Sequence, residues 1–313
     1  MEPPPELAIS YRDPGDPDLR QALVGAVGLV LPSAGGPLPR GALQGAHDLR
    51  LVQYTGAGWD RIPTEALEAI GASVANAAGG NAAAVAQYVL LAAGFLLRRL
   101  GTADGMVRTG DYRGARSALE PDRVWTFEDL TVGIVGLGHI GTEVARLFLA
   151  AGARSIFYDP EPRGSGAEGT LTRCRSLQEL VVEADVITVH VPLTRDTRGL
   201  LSGEVLRSAK RGAVLIQASR GGIVDELAAL DLVSKGQLGG AAFDVFEEEP
   251  LPLDSPLLRA VQTLDGRVLL TPHVAGVSYQ SSRRLYEKAW ENVVGVLVEG
   301  GRPRGCVFCP TNR

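Results

Sequence analysis

Residues 131–149 read TVGIVGLGHIGTEVARLFL. An apolar run, 131–135, leads through Gly136, Gly138 and Gly141 into an amphipathic helical pattern, so the three glycines stand in GxGxxG spacing at a strand-to-helix corner. The first glycine permits a tight turn, the second lets backbone approach a pyrophosphate, and the third lets the helix pack on the strand. The unpaired N–H groups of the helix start then face the phosphates, with His139 and Ile140 in the variable positions. A second predicted strand, 155–158, ends at Asp159, 18 residues beyond Gly141. A carboxylate there accepts from a ribose 2′-hydroxyl and repels a 2′-phosphate. This favours NAD over NADP, although Arg163 lies near enough in sequence to pull the other way, and Asp159 before Pro160 also reads as an ordinary turn carboxylate.

Around this corner the chain alternates short β-branched or apolar runs with helical patterns, the rhythm of an α/β protein. Downstream, runs at 186–191, 213–217, 240–245 and 268–270 join 131–135 and 155–158 as six strands of a doubly wound parallel Rossmann sheet. Upstream, runs at 7–10, 27–31, 51–55 and 72–75 read as a second, smaller flavodoxin-like α/β unit. Residues 81–97 are apolar on nearly every face and are predicted as a buried hinge helix. Residues 101–128 suit a connector with short helical pieces, and 281–298 a last helix. The expected division gives residues 1–91 and 277–313 to a substrate domain and 92–276 to a dinucleotide domain.

With 313 residues and 45% hydrophobic content the chain can bury two cores. A net charge of −5 provides no broad basic surface for nucleic acid or anionic membranes. The opening MEPPPELAIS lacks a basic segment followed by an apolar one, and the longest apolar stretch is interrupted by Gln87, so a cytoplasmic protein with no membrane partner is expected. Three cysteines make no disulfide framework; Cys306 and Cys309 form a CxxC pair open to metal binding or redox cycling.

Three further strand ends carry chemistry. IQASRGGIVDELAAL (216–230) sets Arg220 just past a strand, before two glycines that allow a ligand close, and a guanidinium there can clamp a carboxylate with two parallel bonds. GGAAFDVFEEEPLP (239–252) ends a strand at Asp244 and sets Glu247, Glu248 and Glu249 before Pro250. LLTPHVAGVS (269–278) delivers His273 at another strand end. Taken singly, each has a bland reading: an ion-paired arginine, a solvated acidic turn, a structural histidine.

In order and spacing, GIVGLGHIG, HVPLTRDTRGLL, SRGGIVDE, AAFDVFEEEP and TPHVAG resemble the D-isomer-specific 2-hydroxyacid dehydrogenase family, and TGAGWDRIP and NAAGGNAAAVAQYVL extend the resemblance towards the N-terminus. It implies an NAD-dependent enzyme interconverting a 2-keto acid and a D-2-hydroxy acid. Arg220 would hold the substrate, Glu249 would pair with the histidine, and His273 would exchange the proton. An imidazole, which ordinarily titrates at about pH 6.5, suits that task near neutrality. By the same resemblance Asp244 stands near the nicotinamide carboxamide; Pro192, Thr197, Ser219 and Gly276 line the cofactor groove; Ala57 and Gly58 offer amides to the substrate carboxylate; and Asn81 and Val85 face the cofactor. A homodimer is expected through the region of 81–97, where relatives usually pair.

The chain departs from the family pattern at Gln217 (commonly Asn), at Gln87-Tyr88 (often Glu-His) and at Pro63 (commonly Asp). Tyr88, with Tyr54 and Trp59, is expected to reshape the substrate pocket. Glu249, where formate dehydrogenases carry Gln, argues against formate. A phosphite-type dehydrogenase and a dinucleotide-sensing corepressor-like scaffold share the catalytic set and remain the alternatives.

Overall fold

Short apolar strands separated by amphipathic helices can bury both faces of a sheet only by covering each with helices, and the chain does this twice. The computed structural model describes residues 5–13, 15–32, 38–39, 41–56, 58, 71–119, 124–161, 171–264 and 266–309. They fall into two compact units, Met1–Asn81 with Ser278–Arg313, and Ala82–Val277.

In the smaller unit, β1 (Gly28–Leu31), β2 (Leu51–Tyr54) and β3 (Ser73–Ala75) run parallel, in register Gly28 to Leu51 and Leu51 to Ser73. The larger unit contributes seven parallel strands: β4 (Thr131–Val135), β5 (Arg154–Tyr158), β6 (Thr172–Arg173), β7 (Val186–Val189), β8 (Ala213–Gln217), β9 (Leu238–Phe243) and β10 (Val268–Leu270). β11 (Cys306–Phe308) returns to the small sheet antiparallel to β3, giving the order β1-β2-β3-β11. The large sheet has the order β10-β9-β8-β7-β4-β5-β6. Chain order reverses between β4 and β7, the switch point where open α/β sheets collect ligands at their carboxyl ends.

Four sequence expectations shift. Residues 8–10 are in no strand, because the run is mostly exposed and buries too little apolar surface to fix an extended segment. β7 stops at Val189; His190 N–H makes one more bond, to Val135 O at 2.7 Å, and Pro192 then has no N–H to offer. β9 starts at Leu238, two residues early, since Gly239 and Gly240 are strand residues packed too closely against the Gly212 and Arg267 carbonyls for a side chain. β6, two polar residues, and β11, three residues, are too short to announce themselves.

The helix Ala82–Leu97 lies wholly in the larger unit. Its buried Val85, Ala86, Val89, Ala93 and Leu96 share one core with Val144, Ala145 and Phe148 of the helix His139–Ala150. The alanines let the two helices approach, and Phe127 closes the edge by a T-shaped contact with Phe148, ring centroids 5.3 Å apart. No single helix among the described residues is long and apolar enough to cross a membrane.

In the smaller unit the helix Tyr279–Leu297 starts on a capping box between Ser278 and Ser281 and turns Leu285, Ala289, Val293 and Val296 inward. Buried Asn292 ties this helix down, accepting from Arg304 N–H at 2.7 Å and donating to the Gln53 side chain at 2.5 Å. Cys306 and Cys309 are joined as a disulfide beside β11, and no cluster of three or more metal-ligating side chains occurs among the described residues.

Candidate active site

Gly136 takes φ +94°, and a Cβ there would meet the His190 carbonyl oxygen at 2.8 Å, so the turn closing β4 onto β7 requires glycine. At Gly141 a Cβ would strike the Gly136 carbonyl oxygen. At Gly138, which caps the helix His139–Ala150, a Cβ would meet nothing within 4 Å. Two glycines are therefore demanded by the fold, whereas the middle one borders open space in front of a helix start whose first amides have no intrahelical partner. That cradle fits a dinucleotide pyrophosphate. Asp159, past the end of β5, accepts from Leu137 N–H at 2.8 Å and from Glu161 N–H at 2.9 Å, so its carboxylate also fastens the glycine turn to the next strand end.

The loop after β7 is self-braced: Thr197 Oγ1 accepts from Thr194 N–H at 2.8 Å and donates to Pro192 O at 2.6 Å, fixing both residues expected along the cofactor groove. His190 is largely enclosed, its Nε2 within 2.9 Å of Thr188 Oγ1, and desolvation pushes its pKa down to about 3. It is a core group with no charged role near neutrality.

Three neighbouring strands, β8, β9 and β10, bring the chemical residues to one edge of the sheet. After β8, buried Gln217 donates through Nε2 to Arg220 O at 2.7 Å and accepts from Ser219 Oγ at 2.9 Å, so both ends of one amide hold the turn that presents Arg220. Gly221 packs so tightly on the backbone of Phe246 and Glu247 that any Cβ would collide, which locks this turn to the next strand's loop. In that loop Glu249 Oε1 accepts from Phe246 N–H at 3.0 Å, leaving Oε2 for His273 Nδ1 at 2.8 Å. The glutamate orients the imidazole through Nδ1, with Nε2 left for another partner.

His273 is one of three described non-glycine residues with positive φ, at +56°. Asp244, 1% exposed, holds that conformation: its carbonyl accepts from His273 N–H at 2.8 Å, and its carboxylate accepts from Val274 N–H and Ala275 N–H, both at 2.8 Å, and from Thr271 Oγ1 at 2.6 Å. Asp244 thus braces the turn from His273 to Ala275. Tyr88, expected as a pocket-shaping residue, turns its hydroxyl to Thr271 Oγ1 at 2.7 Å. Gln217 and Thr271 are the supports the sequence reading missed; a polar side chain at the buried end of an apolar strand is the signal that would have found Gln217. Val85 and Asn81 lie at the start of the helix Ala82–Leu97 and just before it. Ala57, Trp59, Pro63 and Arg163 lie outside the described residues, and Gly58 stands alone among its neighbours as described.

A glycine turn at a sheet's switch point, a carboxylate at the next strand end, and an arginine turn beside an acid–imidazole pair define a dinucleotide-dependent oxidoreductase. The family model for the NAD-binding domain of D-isomer specific 2-hydroxyacid dehydrogenases matches residues 90–275. The (S)-sulfolactate dehydrogenase of Chromohalobacter salexigens is 38% identical over 247 residues, covering 79% of this chain and 77% of that one. The glyoxylate reductase of Korarchaeum cryptofilum is 33% identical over 260 residues, 82% of this chain and 76% of the other. Among solved structures, D-2-hydroxyisocaproate dehydrogenase aligns with a TM-score of 0.81 at 26% identity, over 92% of this chain and 88% of its own. The chain belongs to the D-isomer specific 2-hydroxyacid dehydrogenase family, with NAD as its dinucleotide and oxidoreduction as its chemistry.

Proposed function

We propose that the protein interconverts a small 2-keto acid and the corresponding D-2-hydroxy acid, with His273 as acid and base, Glu249 as its partner and Arg220 as the substrate clamp. The carrying observation is the 2.8 Å pair between His273 Nδ1 and Glu249 Oε2, set at a strand end beside the Arg220 turn. NADH, held at the Gly136–Gly141 turn, would supply a hydride for C2 of the keto acid. Arg220 orients the substrate carboxylate and stabilises negative charge growing on the carbonyl oxygen. His273 gives that oxygen its proton from Nε2, and Glu249 balances the imidazolium's charge before transfer. Oxidation runs the same positions backwards, with neutral His273 taking the hydroxyl proton.

The cofactor-side roles rest on placement: Gly136, Gly138 and Gly141 with the amides of His139 and Ile140 for the pyrophosphate, Asp159 for the ribose, and Pro192, Thr197, Ser219, Asp244 and Gly276 along the groove. Gly58 and Ala57 are assigned to the substrate carboxylate by family resemblance. The recorded names of the relatives, sulfolactate and glyoxylate enzymes, point to short anionic keto acids. A homodimer is part of the proposal, because Leu91 is 72% exposed on a helix whose other apolar side chains are buried or half-buried, and the following segment adds exposed Leu100, Val107, Tyr112 and Trp125.

NADH oxidation at 340 nm, followed against a panel including glyoxylate and the keto acid of sulfolactate, tests the reading. Turnover by the wild type with losses of about a hundredfold or more in His273→Ala and Arg220→Lys is expected. NADH binding with no turnover on any keto acid would sink it.

A further inference from the structure

We infer that Tyr88 is a positioning residue for the active-site histidine, acting through Thr271 and Asp244. The inference rests on the catalytic role proposed for His273, although the hydrogen-bond chain that carries it stands by itself.

The chain has a forced direction. Thr271 Oγ1 has one hydrogen and directs it to Asp244 Oδ1 at 2.6 Å, so in the 2.7 Å contact with Tyr88 it accepts and the phenol donates. Asp244 Oδ1 also accepts from Val274 N–H and Oδ2 from Ala275 N–H, while the Asp244 carbonyl takes the His273 N–H. The path runs from a side chain on the core helix Ala82–Leu97, through one hydroxyl and one carboxylate, to the two amides that follow His273 in its turn, while the backbone carbonyl of the same Asp244 takes the His273 amide. His273 needs this support because its φ of +56° is costly for a residue with a Cβ and persists only where surroundings impose it. Burial, opposed by the Thr271 hydrogen bond and aided by the Asp244 charge, pushes the Tyr88 phenol up to about 12, so the donor keeps its proton across the working range of an enzyme.

Tyr88 is anchored. The helix around it buries Val85, Ala86, Val89 and Ala92, so the phenol is held at a fixed height against the strand end that precedes His273. A histidine at this position would end short of where the phenol oxygen lies and would not make the 2.7 Å contact with Thr271.

The test compares wild type, Tyr88→Phe, Thr271→Val, Thr271→Ser and the Tyr88→Phe/Thr271→Val double variant. Tyr88→Phe is expected to lower kcat roughly three- to tenfold, the range one hydrogen bond spans, with the Kd for NADH unchanged. Thr271→Val should lose at least as much and Thr271→Ser little. In the double variant the Tyr88 change should add nothing, as for two groups in one path. Wild-type kcat in Tyr88→Phe, or additive losses in the double variant, overturns the inference. If the wild type turns over no keto acid, the proposed function fails and the brace is judged by amide hydrogen exchange. Several-fold faster exchange in Tyr88→Phe confined to the segment containing Val274 and Ala275 upholds it, and unchanged exchange there overturns it.

Discussion

Behind the acid–imidazole pair, half-buried Glu226 accepts from Glu247 N–H at 3.0 Å and so helps hold the loop that carries Glu249. Burial, with added repulsion from Glu247, Glu249 and Asp225, pushes its pKa up to about 7 against the stabilising pull of that N–H. Between about pH 4.5 and 7 the folded state therefore holds this proton more tightly than the unfolded chain, and stability contributed by the group is lost as pH rises through that window. Discounted for partial exposure, the loss is on the order of 1 kcal/mol, or about 2–4 °C in Tm for a unit this size. Glu226→Gln keeps an acceptor for Glu247 and removes the titration. Its Tm should match the wild type near pH 5 and exceed it by that amount at pH 8; a difference independent of pH would refute the assignment.

The glycine turn is the element in which folding and binding requirements can be separated. Alanine at Gly141 must push against the Gly136 carbonyl, so Gly141→Ala is expected to destabilise by about 1–3 kcal/mol, lowering Tm as well as NADH affinity. Alanine at Gly138 meets only open space, and its backbone, φ −86° and ψ −157°, suits any residue. Gly138→Ala should keep the wild-type Tm to within about 1 °C while weakening NADH binding tenfold or more, because the added methyl stands where the pyrophosphate approaches. Calorimetry with fluorescence titration of NADH reads both quantities. Equal NADH affinity in Gly138→Ala would mean that the cradle does not face the phosphates.

For the whole molecule, the exposed apolar side chains Leu91, Leu100, Val107, Tyr112 and Trp125 bear on assembly. A monomer leaves them in water, whereas a two-fold pairing covers each copy's set with the other's. The backbone N–H of Trp125 bonds Leu97 O at 3.1 Å, which fixes Trp125 against the helix end. Sedimentation velocity at micromolar concentration should give a dimer, and Leu91→Asp should shift it towards monomer with the dinucleotide unit's Tm nearly unchanged. A monomeric wild type would contradict the proposed assembly.

What the sequence by itself determined is whatever depends on short-range pattern. The runs 131–135, 213–217 and 268–270 became β4, β8 and β10 without change, because a short β-branched run between turn residues and helices has few other ways to bury itself. GxGxxG placed the turn, since its glycines answer to φ and to clashes within a few residues. Arg220 and His273 were legible as residues past strand ends, but they were grouped with Glu249 as a set only through the order of the family's motifs. Only the tertiary structure decided what holds them. Asp244 beneath three amides and the Tyr88–Thr271 link join residues up to 183 positions apart, and no local spacing records such pairing. The start of β9 inside two glycines and the antiparallel return of β11 belong to the same category. Each depends on which distant backbone comes to lie alongside, and that is set by how the sheet closes on its helices.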